Sequence, residues 1–262
     1  GAGKTTTVEI LEGHRTRDGG EVDVLGHDPA RGQREFKERI GIVLQSTGMD
    51  PYLTVEETVD LYRGYYPKPR PMDEIIDVVG LGHKRTVKVS KLSGGQQRRL
   101  DVAIGLAGDP ELLFLDEPTT GFDPSARRNA WKMIENLQDL GKTVFLTTHY
   151  MDEAQNLADR VAIIMGGEIV TEGDPGSLGG RDVAETRIDF RIPDRSLSLP
   201  DQLRAGADIH DGHVEITTSD PTRTLHELTG WALRNDIELV GLSVSRPSLE
   251  DVYLAMTGGE SE

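Results

Sequence analysis

The sequence contains no cysteine and few aromatic residues, and both absences limit what the protein can be. Without cysteine, its 262 residues offer no disulfide framework, no thiolate metal site and no cysteine nucleophile. Hydrophobic residues make up 36% and aromatic residues 5% of the chain, which is lean but sufficient for a folded core. No stretch reaches the ~18 apolar residues of a membrane span, and no signal peptide opens the chain. We therefore expect a protein of the soluble cell interior.

Positive charge is also scarce. The chain has 29 Lys and Arg residues against 45 Asp and Glu residues, which gives a formal net charge of −16. Proteins that bind nucleic-acid backbones present a basic field to the phosphates. The charge balance therefore excludes DNA and RNA as first expectations for a partner.

Half of a phosphate-binding pattern stands at the start of the chain. The residues match the second half of G-x-x-x-x-G-K-[ST], and we interpret the chain as beginning inside this loop, without the strand that feeds it. In such a loop, backbone N–H groups surround phosphate oxygens and the lysine supplies a cation. The hydroxyl beside the lysine ligates Mg²⁺ and the next one adds a phosphate contact. A turn without a ligand is the alternative for half a motif. The candidate binding residues are Gly1, Ala2, Gly3, Lys4, Thr5 and Thr6.

Apolar segments of strand length alternate along the chain with segments of helical spacing. This order indicates βαβ units and a mainly parallel sheet covered on both faces, an α/β fold. Between Val55 and Val79 the helical spacing is interrupted by three prolines, which predicts two helices and a break. The predicted strands are Glu21–Leu25, Ile40–Leu44, Leu112–Leu115, Thr143–Thr147 and Val161–Met165, and the other predicted helices are Thr5–Leu11, Gln96–Leu106 and Pro124–Leu140.

The composition changes near Gly179 and Gly180. Residues 181–262 contain no lysine, 8 arginines and 16 acidic residues, so they carry a net charge of −8. This segment is interpreted as a separate small α+β module. Its predicted strands lie near 186–192, 213–218 and 237–244, and its predicted helices near 222–234 and 248–256.

Two adjacent carboxylates follow the predicted strand Leu112–Leu115. A buried strand delivers Asp116 and Glu117 at its end, where open parallel sheets place their ligands. Asp116 is then a candidate Mg²⁺ ligand, and Glu117 is a candidate base that polarises an attacking water. The alternative is a strand that simply ends in polar residues.

A second anion-binding element follows Lys91 and Leu92. Ser93, Gly94 and Gly95 at a helix start, followed by Gln96, combine a hydroxyl, two unobstructed amides and a helix dipole. One phosphate tail needs only one such loop. Two loops in one chain are explained if each completes a site on a partner, so that ATP lies between the loop of one subunit and Ser93 of the other. The alternative is an ordinary helix cap.

Together these motifs resemble the nucleotide-binding subunit of ABC transporters, a P-loop NTPase fold with a helical subdomain. The resemblance covers residues 1 to about 175 and adds three site residues: Gln45 at Mg²⁺ and the attacking water, Asp123 at a dimer seam, and His149 at the γ-phosphate. It implies a head-to-tail homodimer, or a pair with a second ABC subunit, around two ATP molecules. The expected ATP-binding domain spans 1–178 with a helical insert at about 50–107, and the accessory module spans 179–262. The adenine-stacking aromatic of the family is not found in this sequence.

Further segments narrow the resemblance to ATPases of ABC-2-type exporters, in particular the daunorubicin-resistance-like multidrug group. Thr7–Gly13, Ser93–Leu100, Asp123–Pro124 and the ending Arg246–Tyr253 carry this likeness, which implies drug efflux. The family also implies a separate membrane permease, docked near residues 46–66, and hence a place at the cytoplasmic face of the membrane. Candidate contacts in that stretch are Met49, Tyr52, Leu53, Tyr62, Tyr65 and Tyr66, with packing between helices as the alternative.

Two other function classes stay open at this point. Soluble ABC ATPases that act on DNA carry long insertions between the phosphate loop and the signature, whereas 88 residues separate Lys4 from Ser93 here. Those that act on ribosomes carry two cassettes. A nucleotide-dependent binding module without turnover is the third class, and it predicts replacement of Glu117 or His149, both of which are present.

Overall fold

The computed structural model describes residues 2–43, 48–181, 185–192, 199–204 and 206–256. The chain divides into two compact units. The first runs up to Leu157 and includes Ile164–Val170, and the second comprises Ala158–Ile163 and the chain from Thr171 onward. Within the described residues, no helix has both the length and the apolar character needed to cross a membrane.

A parallel sheet of three strands lies at the centre of the first unit. Strands β1 (Ile40–Val43), β2 (Leu112–Asp116) and β3 (Thr143–Thr147) pair in that order. The predicted parallel sheet is confirmed. Strand β2 lies between its two neighbours and is buried along its apolar length, which is why its sequence is continuously apolar rather than alternating.

Alternate side chains of β2 enter two separate apolar clusters. Leu112 and Phe114 pack with Val8 of helix α1 (Lys4–Leu11) and Phe36 of α2 (Arg34–Arg39). Leu113 and Leu115 face the opposite side, because successive strand residues point to opposite faces of a sheet. There they pack with residues of helices α3 (Val55–Arg63), α4 (Met72–Val78), α5 (Gly94–Gly105) and α6 (Pro124–Asp139).

The predicted pair of helices with a proline-rich break is confirmed as α3 and α4. Thr54 caps α3: its Oγ1 accepts the backbone N–H of Glu57 at 3.2 Å, and the Glu57 carboxylate accepts the N–H of Thr54 at 2.8 Å. Between the helices, Arg63 Nε donates to the carbonyl oxygen of Arg70. This hydrogen bond links the end of α3 to the proline-rich segment that precedes α4.

One predicted strand of the first unit is wrong. Residues Glu21–Leu25 form only an isolated bridge between Val24 and His27, because the backbone turns at Leu25 and Gly26, both at positive φ. Val24 is still buried. The apolar residue that suggested a strand therefore reaches the core from a turn, without pairing to a second strand. The sequence also did not reveal α7 (Met151–Leu157), which follows β3.

The predicted strand Val161–Met165 is confirmed as β4, and it pairs with an unforeseen strand, β5 (Glu168–Gly173). The second unit contains a four-stranded antiparallel sheet in the order β7 (Ala207–His210), β8 (His213–Thr218), β6 (Thr186–Arg191) and β9 (Val240–Ser245). The three predicted strands of the tail are confirmed, and β7 and the short helix α8 (Asp201–Arg204) are additional.

One face of this antiparallel sheet carries the core of the second unit. Ile188, Phe190, Val214 and Ile216 pack against Trp231 and its neighbours on helix α9 (Pro221–Arg234). A final helix, α10 (Leu249–Met256), begins after Ser248, whose backbone N–H and hydroxyl both donate to the carboxylate of Asp251. These two bonds lower the pKa of Asp251. Both predicted helices of the tail are confirmed.

Candidate functional site

The first candidate element is the start of helix α1. Gly3 adopts φ 102°, a left-handed conformation that glycine permits, and no side chain caps the first turn. Gly3 also lies against another chain segment, because a Cβ built on it would be 3.5 Å from the Cα of Gly167. Lys4 is half-buried, and Thr5 and Thr6 are exposed. The turn thus presents open helix-start amides beside a lysine, while Gly1 lies outside the described residues.

The two carboxylates predicted at the end of β2 have different surroundings. Asp116 is the last residue of β2, and its Oδ1 accepts the hydroxyl of Thr147 on β3. The backbone carbonyl of Asp116 accepts a hydrogen bond from Arg98 Nη2 at 3.1 Å. Glu117 comes after the strand with φ 44°. This left-handed backbone is unusual for glutamate.

Glu117 is held from both its backbone and its side chain. Its N–H donates to the carbonyl oxygen of Thr147 at 3.2 Å and to Thr147 Oγ1 at 3.1 Å. The hydroxyl of Thr120 donates to Glu117 Oε2 at 3.0 Å, and His149 Nδ1 lies 3.5 Å from Glu117 Oε1. The structure therefore brings together three predicted site residues, Asp116, Glu117 and His149, at one end of two neighbouring strands.

The second candidate element is the start of helix α5. Ser93 Oγ accepts the N–H of Gln96 at 3.3 Å, and the side chain of Gln96 accepts the N–H of Ser93 at 3.0 Å. A Cβ added to Gly94 or Gly95 would meet no atom within 4 Å, so their backbone is open to approach. A cleft of about 250 Å³ lies beside this turn, with Arg99 and other residues of the first unit in its wall.

Asp123 caps helix α6. Its Oδ1 accepts the N–H groups of Ser125 at 2.8 Å and Ala126 at 2.9 Å. Asp123 is exposed, as a residue at an interface between copies has to be before they associate. Gln45, the remaining predicted site residue, lies outside the described residues.

Helices α1 and α5 are each associated with a buried carboxyl group. Burial raises the pKa of Glu12, at the end of α1, to about 7, and the charges of Asp116 and Glu9 add to the effect. Burial likewise raises the pKa of Asp101 on α5 to about 7, although the charge of Arg98 acts in the opposite direction. Arg98 Nη1 is 3.9 Å from the Asp101 carboxylate, too far to offset the loss of water.

The proposed permease-facing stretch contains both exposed and packed aromatic side chains. Tyr52 is 76% and Tyr65 is 73% exposed. Tyr66 instead packs on Gly108, where an added Cβ would lie 2.3 Å from its ring, and burial raises the pKa of its hydroxyl. Met49 packs against the core of the first unit. Leu61, which the sequence analysis did not single out, is 52% exposed.

Sequence reasoning missed two residues that organise the carboxylate site. Thr147 bonds to both Asp116 and Glu117, and Arg98 bonds to the backbone of Asp116. Thr147 could have been found from the parallel pairing alone, since Asp116 and Thr147 occupy the same register position at the ends of β2 and β3. Arg98 gives no such signal, because its hydrogen bond to Asp116 depends on how helix α5 packs and not on strand pairing.

Comparison with known proteins identifies the family. The ABC transporter family matches residues 1–120, and a family described as the C-terminal domain of ABC transporter domain-containing protein-like sequences matches residues 186–248. The Nod factor export ATP-binding protein I of Burkholderia lata is 35% identical over 275 residues, which cover 100% of this chain and 86% of that protein. The chain belongs to the ABC transporter ATPase family. This ABC ATPase is also 36% identical over 270 residues to the daunorubicin/doxorubicin resistance ATP-binding protein DrrA of Streptomyces peucetius, covering 98% of this chain and 82% of DrrA.

Solved structures confirm the fold class of this ABC ATPase. The ATP-binding cassette MJ0796, described as dimeric in a post-hydrolysis state with ADP and Pi, aligns with a TM-score of 0.57 and 26% identity over 66% of this chain and 81% of that one. The cbiO1 protein of Clostridium perfringens, described as part of the transporter complex cbiONQ, aligns with a TM-score of 0.60 and 26% identity over 67% and 74%. The predicted resemblance is confirmed, and the chain is an ATP-binding, ATP-hydrolysing protein.

Proposed function

We propose that this ABC ATPase powers an exporter: two copies close head to tail on two ATP molecules, and hydrolysis reopens them. The observation that carries the catalytic part is the pairing of Glu117 with His149, whose side chains lie 3.5 Å apart at the ends of neighbouring strands. A carboxylate with a histidine beside it combines a base for water with a hydrogen-bond donor for phosphate.

Each site residue then has a defined task. Gly1, Ala2, Gly3 and the first turn of α1 surround the phosphates, while Lys4 and Thr6 bind them directly. Glu117 takes the proton of the attacking water, His149 donates to the γ-phosphate, and Gln45 orients that water. The partner supplies Ser93, Gly94, Gly95 and Gln96 to the same γ-phosphate, and Asp123 lies at the seam between the copies.

Mg²⁺ fits the donor set near the phosphates. The carboxylate of Asp116, the hydroxyl of Thr5 and the amide oxygen of Gln45 are oxygen donors, the type this cation prefers. Among the described residues, no cluster of three or more His, Asp or Glu residues could hold a metal, but a nucleotide-bound Mg²⁺ needs only one or two protein carboxylates besides the phosphates. When bound, the ion neutralises charge on the β- and γ-phosphate oxygens.

Export through a separate permease is supported by the relatives, one of which serves Nod factor export and another daunorubicin and doxorubicin resistance. We assign the cargo to drug-like or antibiotic molecules on that likeness. The exposed side chains of Tyr52, Leu61 and Tyr65 support docking of the permease on residues 46–66. Such docking would hold this ATPase at the cytoplasmic face of the membrane.

We also propose that the chain has two domains. Residues 1–178 form the ATP-binding domain, with a helical insert at about 50–107 that carries Ser93. Residues 179–262 form the accessory α+β module, supported by the separate core around Phe190 and Trp231 and by the family match to residues 186–248.

The test compares wild type with Glu117→Gln in the intact protein, with a change at the half-exposed Glu135 on α6, Glu135→Gln, as the control. We expect Glu117→Gln to lower ATP turnover by at least about a hundredfold and to accumulate as an ATP-bound dimer on size-exclusion chromatography. Glu135→Gln should behave as wild type. If wild type neither hydrolyses ATP nor dimerises, even with candidate membrane partners added, the proposed function is wrong, and a nucleotide-dependent binding module takes its place.

A further inference from the structure

Arg127 lies one turn into helix α6 and is poorly satisfied by hydrogen bonds. Its backbone N–H donates to the carbonyl oxygen of Asp123, the residue that caps the helix. Its Nε is buried and has no hydrogen-bond partner in the part of the chain that the structure describes. Its Nη1 is 3.7 Å from the carboxylate of Asp152, so that ion pair is long. Hydrogen bonding alone does not explain why a guanidinium is placed here.

The guanidinium instead stacks on an aromatic ring. Its central carbon, Cζ, lies 3.9 Å from the centroid of the Tyr150 ring, well within the range of a cation–π contact. The side chain of Arg127 is only 21% exposed, and such contacts are stronger where water is excluded. Arg127 therefore fixes the plane of the Tyr150 ring.

The ring of Tyr150 in turn lies against that of His149. Their centroids are 4.1 Å apart, and their planes meet at 39°. The loop that carries both residues is also held by Thr148, whose Oγ1 accepts the N–H of Tyr150 at 2.9 Å. The imidazole of His149 is half-exposed and reaches Glu117 at 3.5 Å. Its orientation toward Glu117 thus depends on the aromatic face behind it.

A second contact keeps α6 and the start of α7 together. One turn beyond Arg127, Trp131 Nε1 donates to Glu153 Oε1 at 3.1 Å, and Glu153 is fully buried. Arg127 and Trp131 are four residues apart and so share one face of α6. Helix α6 is therefore attached at two points to the segment that carries His149.

We infer that Arg127 is a positioning residue: through the ring of Tyr150 it orients His149 toward Glu117 and the γ-phosphate. Arg127 does not contact the reacting atoms, and its role rests on the proposed ATP hydrolysis. It also joins the capped start of α6, at the proposed dimer seam, to the catalytic histidine. Association of two copies and alignment of His149 would then be parts of one motion.

The experiment measures kcat and KM for ATP in the intact protein. Arg127→Leu and Tyr150→Leu should each lower kcat about tenfold, since small displacements of a catalytic group are costly, while KM changes less than twofold. Tyr150→Phe keeps the ring and Arg127→Lys keeps a cation above it, so both should recover most of the rate.

Arg128→Leu, a change at the exposed neighbour on the same helix, is the matched control and should leave both constants unchanged. The double variant Arg127→Leu/Tyr150→Leu should be no slower than either single variant, because both remove the same contact.

Thermal unfolding of each variant separates positioning from folding. Should Arg127→Leu fail to fold, the comparison of Tyr150→Leu with Tyr150→Phe decides the question. Equal rates for Arg127→Leu and Arg128→Leu, or for the two Tyr150 variants, would overturn the inference, as would fully additive losses in the double variant. If wild-type turnover depends on Glu117 while the Arg127 effect is missing, only this inference fails. If wild type has no turnover, the proposed function fails with it.

Discussion

Helices α1 and α5 both begin at glycine-containing turns, yet their first turns are capped in different ways. At α1, Gly3 stands at the cap position with no side chain above the open amides. At α5, Ser93 and Gln96 cap each other in a closed pair of hydrogen bonds. The first arrangement can surround an anion on its own, whereas the second keeps its helix start intact without one.

Because their caps differ, the two helix starts can bind phosphate in different ways, and one chain can hold two anion sites without competition between them. The Ser93 hydroxyl accepts from Gln96, but it keeps its own proton to donate. It can therefore add one hydrogen bond to a phosphate that another element already holds. We expect α1 to determine whether ATP binds and α5 to determine whether two copies close on it.

The largest effect is expected at α1. Lys4→Ala removes the only fixed cation we assign to the phosphates and should abolish measurable ATP binding, with turnover lowered by at least about a hundredfold. Fluorescence titration with a labelled ATP analogue measures binding, and Lys37→Ala, at an exposed lysine of α2, serves as the control. If Lys4→Ala retains wild-type affinity for ATP, then α1 does not determine ATP binding and the proposed difference between the two helix starts is wrong.

A smaller and more selective effect is expected at α5. Ser93→Ala should retain ATP binding but lose ATP-dependent dimerisation, with turnover lowered at least tenfold. It should also lose about 1 kcal/mol of stability with the cap. Thr54→Ala is the matched control, because Thr54 and Glu57 form the same capping arrangement on α3.

If Ser93→Ala and Thr54→Ala lose similar thermal stability and only Ser93→Ala loses dimerisation, then Ser93 has a role in dimerisation beyond capping its helix. If both variants dimerise equally well, Ser93 is an ordinary helix cap. Dimerisation is measured by light scattering with and without ATP in the Glu117→Gln background.

The smallest effect on ATP binding and turnover is expected from a residue within α5, Asp101, which instead gives the stability of the protein a pH dependence. Burial raises the pKa of Asp101 to about 7, so the folded chain retains a proton that the unfolded chain releases above about pH 4. The free energy of unfolding therefore falls as pH rises from about 4 to 7, by at most ~1.4 kcal/mol per pH unit for this group. Asp101→Asn should remove this contribution.

Thermal unfolding at pH 5 and pH 8 tests this expectation. The stability of Asp101→Asn relative to wild type should increase between these values, and Asp139→Asn, at an exposed position ending α6, should show no such change. Glu12 titrates in the same range and is present in all three proteins, so it cancels in the comparison. A pH-independent difference for Asp101→Asn would show that Asp101 is charged in the folded chain.

The parts of the fold that the sequence predicts are those encoded by neighbouring residues, and the parts it misses depend on distant ones. Strands β2 and β3 were predictable because burial makes them continuous apolar runs, and polar residues follow directly. Strand β7 was not, since it has only four residues, Ala207–His210, and three of them are exposed, so no buried apolar run marks it. The strand expected at Glu21–Leu25 failed because a turn at Leu25 and Gly26 buries the same apolar side chains without pairing.

The candidate site shows the same limit. Asp116, Glu117 and Ser93 could be found because each stands in a recognisable local pattern. Thr147 could be found only from the pairing of β2 with β3, and the contacts of Arg127 depend on how helix α6 packs, which no local pattern records. Positions that act through other side chains are therefore the ones that sequence reasoning misses.

Mixing two inactive variants tests most directly whether Lys4 and Ser93 act on one ATP from opposite copies. A Lys4→Ala chain still supplies Ser93, and a Ser93→Ala chain still supplies Lys4. If the two elements act on one ATP from opposite copies, a mixed dimer contains one complete site, and mixing should restore ATP turnover above that of either variant alone. If the two elements act within the same chain, no mixed dimer contains a complete site, and the mixture should stay as inactive as its components.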